Sequence, residues 1–169
     1  SKLNLKISEN AVPLQIGDLT ASVKTYLPQE EKGNFLQFVA DNAIDVRTGC
    51  FSPLRTETYF SLAIVKFYTD ISFTDKQKGD PTKLYDLLEE NGIIAEVIAA
   101  IPENEYALLL GWIDETIEAF YTYRNSVMGI MEQISADYSN LSLDATEIQQ
   151  KLADPQNLEL LKNVMTKLG

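Results

Sequence analysis

One run of apolar residues constrains this chain more than any other feature. From Pro102 to Ser139 the positions Tyr106, Leu110, Ile113, Ile117, Phe120, Arg124, Val127, Met131, Ile134 and Tyr138 keep a 4-3 spacing without a slip. That is the seam of a coiled coil with one charged residue in its middle. Read as a single helix over about 102–139, it would be about 55 Å long at 1.5 Å rise per residue. A seam of this kind is covered by a neighbouring helix or by a second copy, so these ten positions are the expected interface, and a homodimer or higher oligomer is the expected state. Gly111 and Gly129 are the two points where such a helix could bend.

The rest of the composition sets the class. With 169 residues, 45% hydrophobic and 23% charged, the chain is that of a folded protein able to bury a core without staples. Cys50 is the only cysteine, which excludes an intramolecular disulfide and points to a reducing, cytosolic setting. No apolar run approaches the roughly 18–20 residues needed to cross a bilayer, and the start, SKLNLKISEN, lacks the apolar core of a signal peptide. Soluble expression without a membrane partner is expected.

Charge is unevenly placed. Residues 1–84 carry 10 Lys/Arg and 10 Asp/Glu, whereas residues 85–169 carry 4 and 15, so the whole net charge of −11 lies in the C-terminal half. That half repels a phosphate backbone and no basic block compensates, which argues against direct nucleic-acid binding. A protein partner, a basic one among the candidates, fits better, although an acidic helical surface also serves plain solubility.

Before the long seam the chain changes period. Leu3, Leu5 and Ile7, then Val12, Leu14 and Ile16, then Leu19, Ala21 and Val23 alternate with polar residues, which predicts three short strands, the last two joined by a tight Gly17-Asp18 turn. Such a small sheet needs a helix or a second subunit to cover its apolar face, and exchange of an N-terminal β-arm between subunits is one solution. After Tyr26, prolines 28, 53, 81, 102 and 155 each open a stretch of helical spacing, with Ser52, Asp80 and Asp154 as N-caps. Helices are expected over about 29–44, 54–70 and 145–153, in the pair PTKLYDLLEEN and GIIAEVIAAI, which meet at Asn91-Gly92, and after Pro155. The segment 54–70, apolar on most sides, should be the buried centre, although Ile64 to Tyr68 also suit a strand. The segments DVRTGCFS and ISFTDKQKGD read as a turn and a polar connector, the latter holding the densest positive spot at Lys76 and Lys78. The expected fold is therefore mainly α (α+β): a three-stranded element over 1–27, then a helical bundle over 28–169 built on the long helix, the two forming one compact domain together.

No residue pattern points to catalysis. The chain has no histidine, which removes the Ser/His/Asp and Cys/His nucleophile systems and nearly all zinc chemistry. Neither GxxxxGK[ST] nor GxGxxG occurs, and Asp41 and Asp45 lack the further ligands of a calcium loop. No catalytic, cofactor-binding or metal residue is assigned, and no cofactor is expected. Glu103 and Glu105 suit the positive end of the long helix. Arg124 reads either as a register device paired with a facing acid or as a rim residue that snorkels. Phe120, Tyr121 and Tyr123 beside it suit core packing or, if exposed, a protein contact.

The C-terminal half carries a resemblance. FTDKQKGDPTKLYDLLEENG, ENEY, and YRNSVMGIMEQISADYSNLSLDATEIQQKLADPQNLELLKNVMTKLG resemble a family of small acidic proteins encoded among the assembly genes of tailed phages of Gram-positive bacteria. The likeness covers about residues 55–169 and transfers no catalytic residue. It implies a non-enzymatic, chaperone-like or adaptor protein of virion assembly, in the host cytoplasm or the virion, contacting a phage structural protein. The alternative is an inhibitor of a host defence protein whose carboxylates imitate nucleic acid.

Overall fold

The computed structural model describes residues 1–7, 9–140 and 153–168. Contacts divide the chain into two compact units, Ser1–Thr116 and Ile117–Gly169, and the N-terminal hairpin lies in the first of them. The chain is mainly helical with a small antiparallel sheet near its start.

In the first unit, β1 (Ala11–Ile16) and β2 (Leu19–Lys24) form a hairpin in register from Ala11 opposite Lys24 to Ile16 opposite Leu19. Its two-residue turn places Gly17 at φ +57°, a conformation that glycine adopts at the first central position of a II′ turn. The alternation is realised in part: Leu14, Ala21 and Val23 are buried while Gln15, Thr20 and Lys24 face solvent, but Val12 is exposed and Ile16 and Leu19 are half-buried. The expected first strand does not form. Leu3, Leu5 and Ile7 lie outside any strand at 82%, 80% and 74% exposure, because period-two spacing alone supplies no partner edge.

The helices start largely where their prolines announce them. α1 is Gln29–Ala43, and β3 (Ile44–Asp45) with β4 (Cys50–Phe51) turns the predicted turn into a minimal hairpin closed by Gly49 at φ +65°. α2 (Pro53–Tyr68) is capped by Ser52, whose hydroxyl accepts from Arg55 N–H at 3.4 Å, and it is the buried centre expected of it. The polar connector contains one helical turn, α3 (Asp75–Lys78), held by a reciprocal Thr74/Gln77 capping box. α4 (Pro81–Glu90) is capped by Asp80, and Gly92 at φ +71° ends the turn that separates it from α5 (Ile93–Ala100). Pro28 and Pro102 stand one residue outside their helices, and their carbonyls accept the first helical bonds, from Lys32 and Tyr106 N–H.

The core is aromatic where α1 crosses α2. Phe35 packs edge-on to Phe60 at 5.4 Å and to Tyr68 at 6.3 Å between centroids. A second cluster, Leu62, Val65, Leu84, Leu88 and Ile94, joins α2 to α4 and α5. β1 packs on α5, and Ser22 N–H donates to Asp70 at 2.8 Å, which holds that carboxyl below its ordinary range.

The long helix is two helices. α6 (Glu103–Arg124) and α7 (Val127–Asn140) are separated at Asn125-Ser126. Ser126 acts at the break: its hydroxyl donates to the Tyr123 carbonyl and accepts from Gly129 N–H at 3.3 Å. Tyr123 hydroxyl then donates to Glu132 across the corner at 2.6 Å, which raises its pKa. Gly129 is required by the close approach, since a Cβ there would overlap the Tyr123 carbonyl oxygen and lie 3.0 Å from Arg124 Cα. α8 (Pro155–Leu168) follows Asp154, whose side chain accepts from Gln156 N–H at 3.0 Å, and it packs on α7. The expected helix over 145–153 lies almost wholly outside the described residues.

Two outcomes check this account. Gly129→Ala is expected to cost about 1–3 kcal/mol through overlap at the corner, whereas Gly111→Ala, which meets no atom within 4 Å, should add about 0.5–1 kcal/mol of helix stability; urea unfolding followed by helix ellipticity separates them. Removal of residues 1–7, which contribute no buried side chain, should change stability by less than about 0.5 kcal/mol by the same measurement.

Candidate functional site

The inward stripe of α6 in the first unit is Glu105, Leu109 and Ile113. Its first member is a carboxylate with 7% of its surface exposed. Burial of a charge is tolerated only when it is paired and fully hydrogen-bonded, and three elements supply the donors. Leu27 N–H donates to Oε1 at 3.0 Å, Tyr68 hydroxyl to the same oxygen at 2.9 Å, and Lys32 Nζ lies 3.1 Å from each oxygen. The Lys32 ammonium, itself 4% exposed, also sits 4.1 Å from the ring centroid of Tyr26. Among the described residues no buried side-chain polar atom is left without a partner.

This node joins the segment after β2, the first turn of α1, the end of α2 and the start of α6. Burial, then the Glu105 hydrogen bond and charge, push the Tyr68 hydroxyl far above its ordinary pKa. The sequence placed Glu105 at the positive end of a helix, where an exposed acid is also at home. The signal that it points inward was its spacing of four and eight from Leu109 and Ile113, which the stronger Tyr106–Leu110–Ile113 seam obscured.

Removing the carboxylate strands a buried ammonium, so Glu105→Ala is expected to destabilise by about 3–5 kcal/mol. Tyr68→Phe removes one bond to a charged acceptor and should cost about 1.5–3 kcal/mol. Since the folded pKa of Tyr68 is raised, its contribution is complete below the unfolded value near pH 10 and declines as pH rises beyond it. The alkaline loss of stability above about pH 10 should therefore be shallower in Tyr68→Phe, as read from urea midpoints across a pH series.

The ten positions of the expected interface do not form one continuous seam. Tyr106, Leu110 and Ile113 belong to the first unit, where Tyr106 packs half-buried on Phe60 at 5.9 Å, Leu110 is exposed and Ile113 is part of the core. The buried stripe is thus rotated by one residue from the predicted one at the start of α6. Ile117, Phe120, Arg124, Val127, Met131, Ile134 and Tyr138 belong to the second unit and are divided by the Ser126 corner. Arg124 is the last residue of α6, half-buried, where a cation is favoured by the helix carbonyl end.

In the second unit no apolar side chain is buried among the described residues. Met128 is 64% exposed and Met165 73%, and Tyr123, Met131, Tyr138 and Leu158 are exposed as well. Ile117, Phe120, Val127, Ile130 and Ile134 are half-buried. These helices therefore hold several large apolar groups open to solvent, among them the flexible side chains of Met128, Met131 and Met165.

Among the described residues no group of three or more His, Cys, Asp or Glu is arranged to hold a metal ion. Among them, too, no helix is long and apolar enough to cross a membrane. Comparison with known proteins returned no match to any family model, curated protein or solved structure.

Proposed function

We propose that this chain is a non-enzymatic, protein-binding subunit that acts in virion assembly as a chaperone-like or adaptor protein. The observation that carries the reading is the second unit, where large apolar side chains stand at half or full exposure and none is buried among the described residues. Short helices gain most of their stability from packing an apolar face, and here part of that packing is left for a partner. Met128, Met131 and Met165 supply adaptable contact area, and Tyr123 and Tyr138 supply larger anchors. The likeness of residues 55–169 to phage assembly proteins supplies the setting and makes a phage structural protein the partner, with self-association through the 117–138 side chains as the resting state.

A second reading has an observation of its own. Between Tyr85 and Thr116 the chain has eight acids and no Lys or Arg. Seven of these, all but Glu105, are exposed on α4, α5 and the first part of α6. That surface could imitate a phosphate backbone and block a nucleic-acid enzyme of the host.

Salt distinguishes the two, because apolar docking survives ionic strength that screens charge contacts. Affinity capture from infected cells, with the retained proteins identified by mass, should recover a phage structural protein at both low and high salt. Met128→Lys with Met131→Lys should abolish that recovery. Recovery only of a host nucleic-acid enzyme, lost at high salt and on reversing Glu89 and Glu90, would replace the assembly reading with the inhibitor reading. Sedimentation at micromolar concentration should show a dimer or larger; a monomer would remove the self-association part.

A further inference from the structure

The first unit contains a pocket that the proposed protein contacts do not use. It lies between α1, α2 and the segment leading through α3 into α4, and encloses about 460 Å³, within the roughly 300–1,000 Å³ typical of sites for small organic ligands. Its floor is the outer side of the second core cluster: Leu62 and Leu84 are buried, and Tyr59, Ile71 and Phe73 pack half-buried upon them. Its polar lining is Asn42, Ser72, Lys66 and Lys78.

The two lysines give the pocket a sign opposite to that of the protein. Lys66 Nζ lies 4.4 Å from the Phe38 centroid and 5.5 Å from that of Phe67, and among the described residues no carboxylate pairs with it. Lys78 has only a long contact of 3.7 Å to Asp75, which is fully exposed. An ammonium held by rings and another in a loose surface pair can both turn to an incoming anion at little cost. The same arrangement works against a cationic ligand, since the Phe38 ring already carries Lys66 and the Tyr59 ring already faces Arg55. Inorganic phosphate alone would leave the apolar floor in contact with water.

We propose that this pocket binds an amphipathic monocarboxylate, with its apolar body on Tyr59, Leu62 and Phe73 and its carboxylate at Lys66 and Lys78. Occupancy would tie α1, α2 and α4 together in the unit that does not carry the exposed apolar helices, so it is independent of the assembly reading.

Calorimetric titration of the full chain with octanoate, and with octylammonium as the same tail bearing the opposite charge, tests the assignment. Octanoate should fill one site and octylammonium should not. Lys66→Gln and Lys78→Gln, both at exposed positions, should each weaken octanoate by about fivefold, the scale of one lost charge contact, with helix ellipticity unchanged. Ser72→Trp, which fills the pocket from an exposed position, should abolish binding. Equal binding of the two probes, unchanged octanoate affinity in both lysine variants, or no saturable octanoate binding at millimolar concentration would each overturn the proposal.

Discussion

The first unit depends on one buried carboxylate. Apolar packing between α1 and α2 is non-directional, and many small shifts of those helices would bury similar area. Glu105 removes that freedom, because Leu27 N–H, Lys32 and Tyr68 can all reach it only in one arrangement of four segments. Replacing such a group with a hydrocarbon of like shape can be neutral for stability, so what the node supplies beyond apolar packing is direction. The aromatic core around Phe35 and the approach of the hairpin to the end of α2, where Val23 bridges Thr69, follow from the same fixed frame.

Much of this frame could be read from local chemistry. Pro53 after Ser52 and Pro81 after Asp80 each combine a fixed φ with a capping acceptor, two independent cues for one helix start, and both are realised. The Gly17 turn and the burial of α2 were equally accessible, since each rests on residues next to one another in sequence. Two of the failures share a cause: they required knowing a partner. Leu3, Leu5 and Ile7 alternate like a strand but have no edge to pair with, and Glu105 satisfies a helix dipole as well as it satisfies Lys32 until Lys32 is known to be near. The unbroken 4-3 spacing through residue 138 hid the Ser126 corner, because apolar periodicity counts side chains and does not register a hydroxyl that competes for backbone bonds.

For the candidate site the balance was different. The spacing alone leads one to expect a contact surface from Ile117 through Tyr138, yet how far each of these side chains is exposed or half-buried emerges only from three-dimensional packing. The charge pattern was visible in outline and coarser than the fold makes it. An acid-only stretch runs from Tyr85, past Lys83 in α4, through α5 to the start of α6, while Lys66 and Lys78, on different helices, line one pocket beside Phe38. Sequence distance separated what folding brings together.

The Glu105 node also sets an order of events. Its bonds to Leu27 and Lys32 close loops of 78 and 73 residues, and closure of a long loop must precede any reward from the contact it makes. While the chain is being synthesised, the hairpin and α1 emerge well before the carboxylate that holds them. Lys32 therefore spends that interval hydrated, and α1 can dock on α2 through Phe35 and Phe60 without being locked. The final consolidation of the first unit waits for the opening turn of α6 to leave the ribosome, so the maturation of the N-terminal region is timed by a residue near the far end of its own unit.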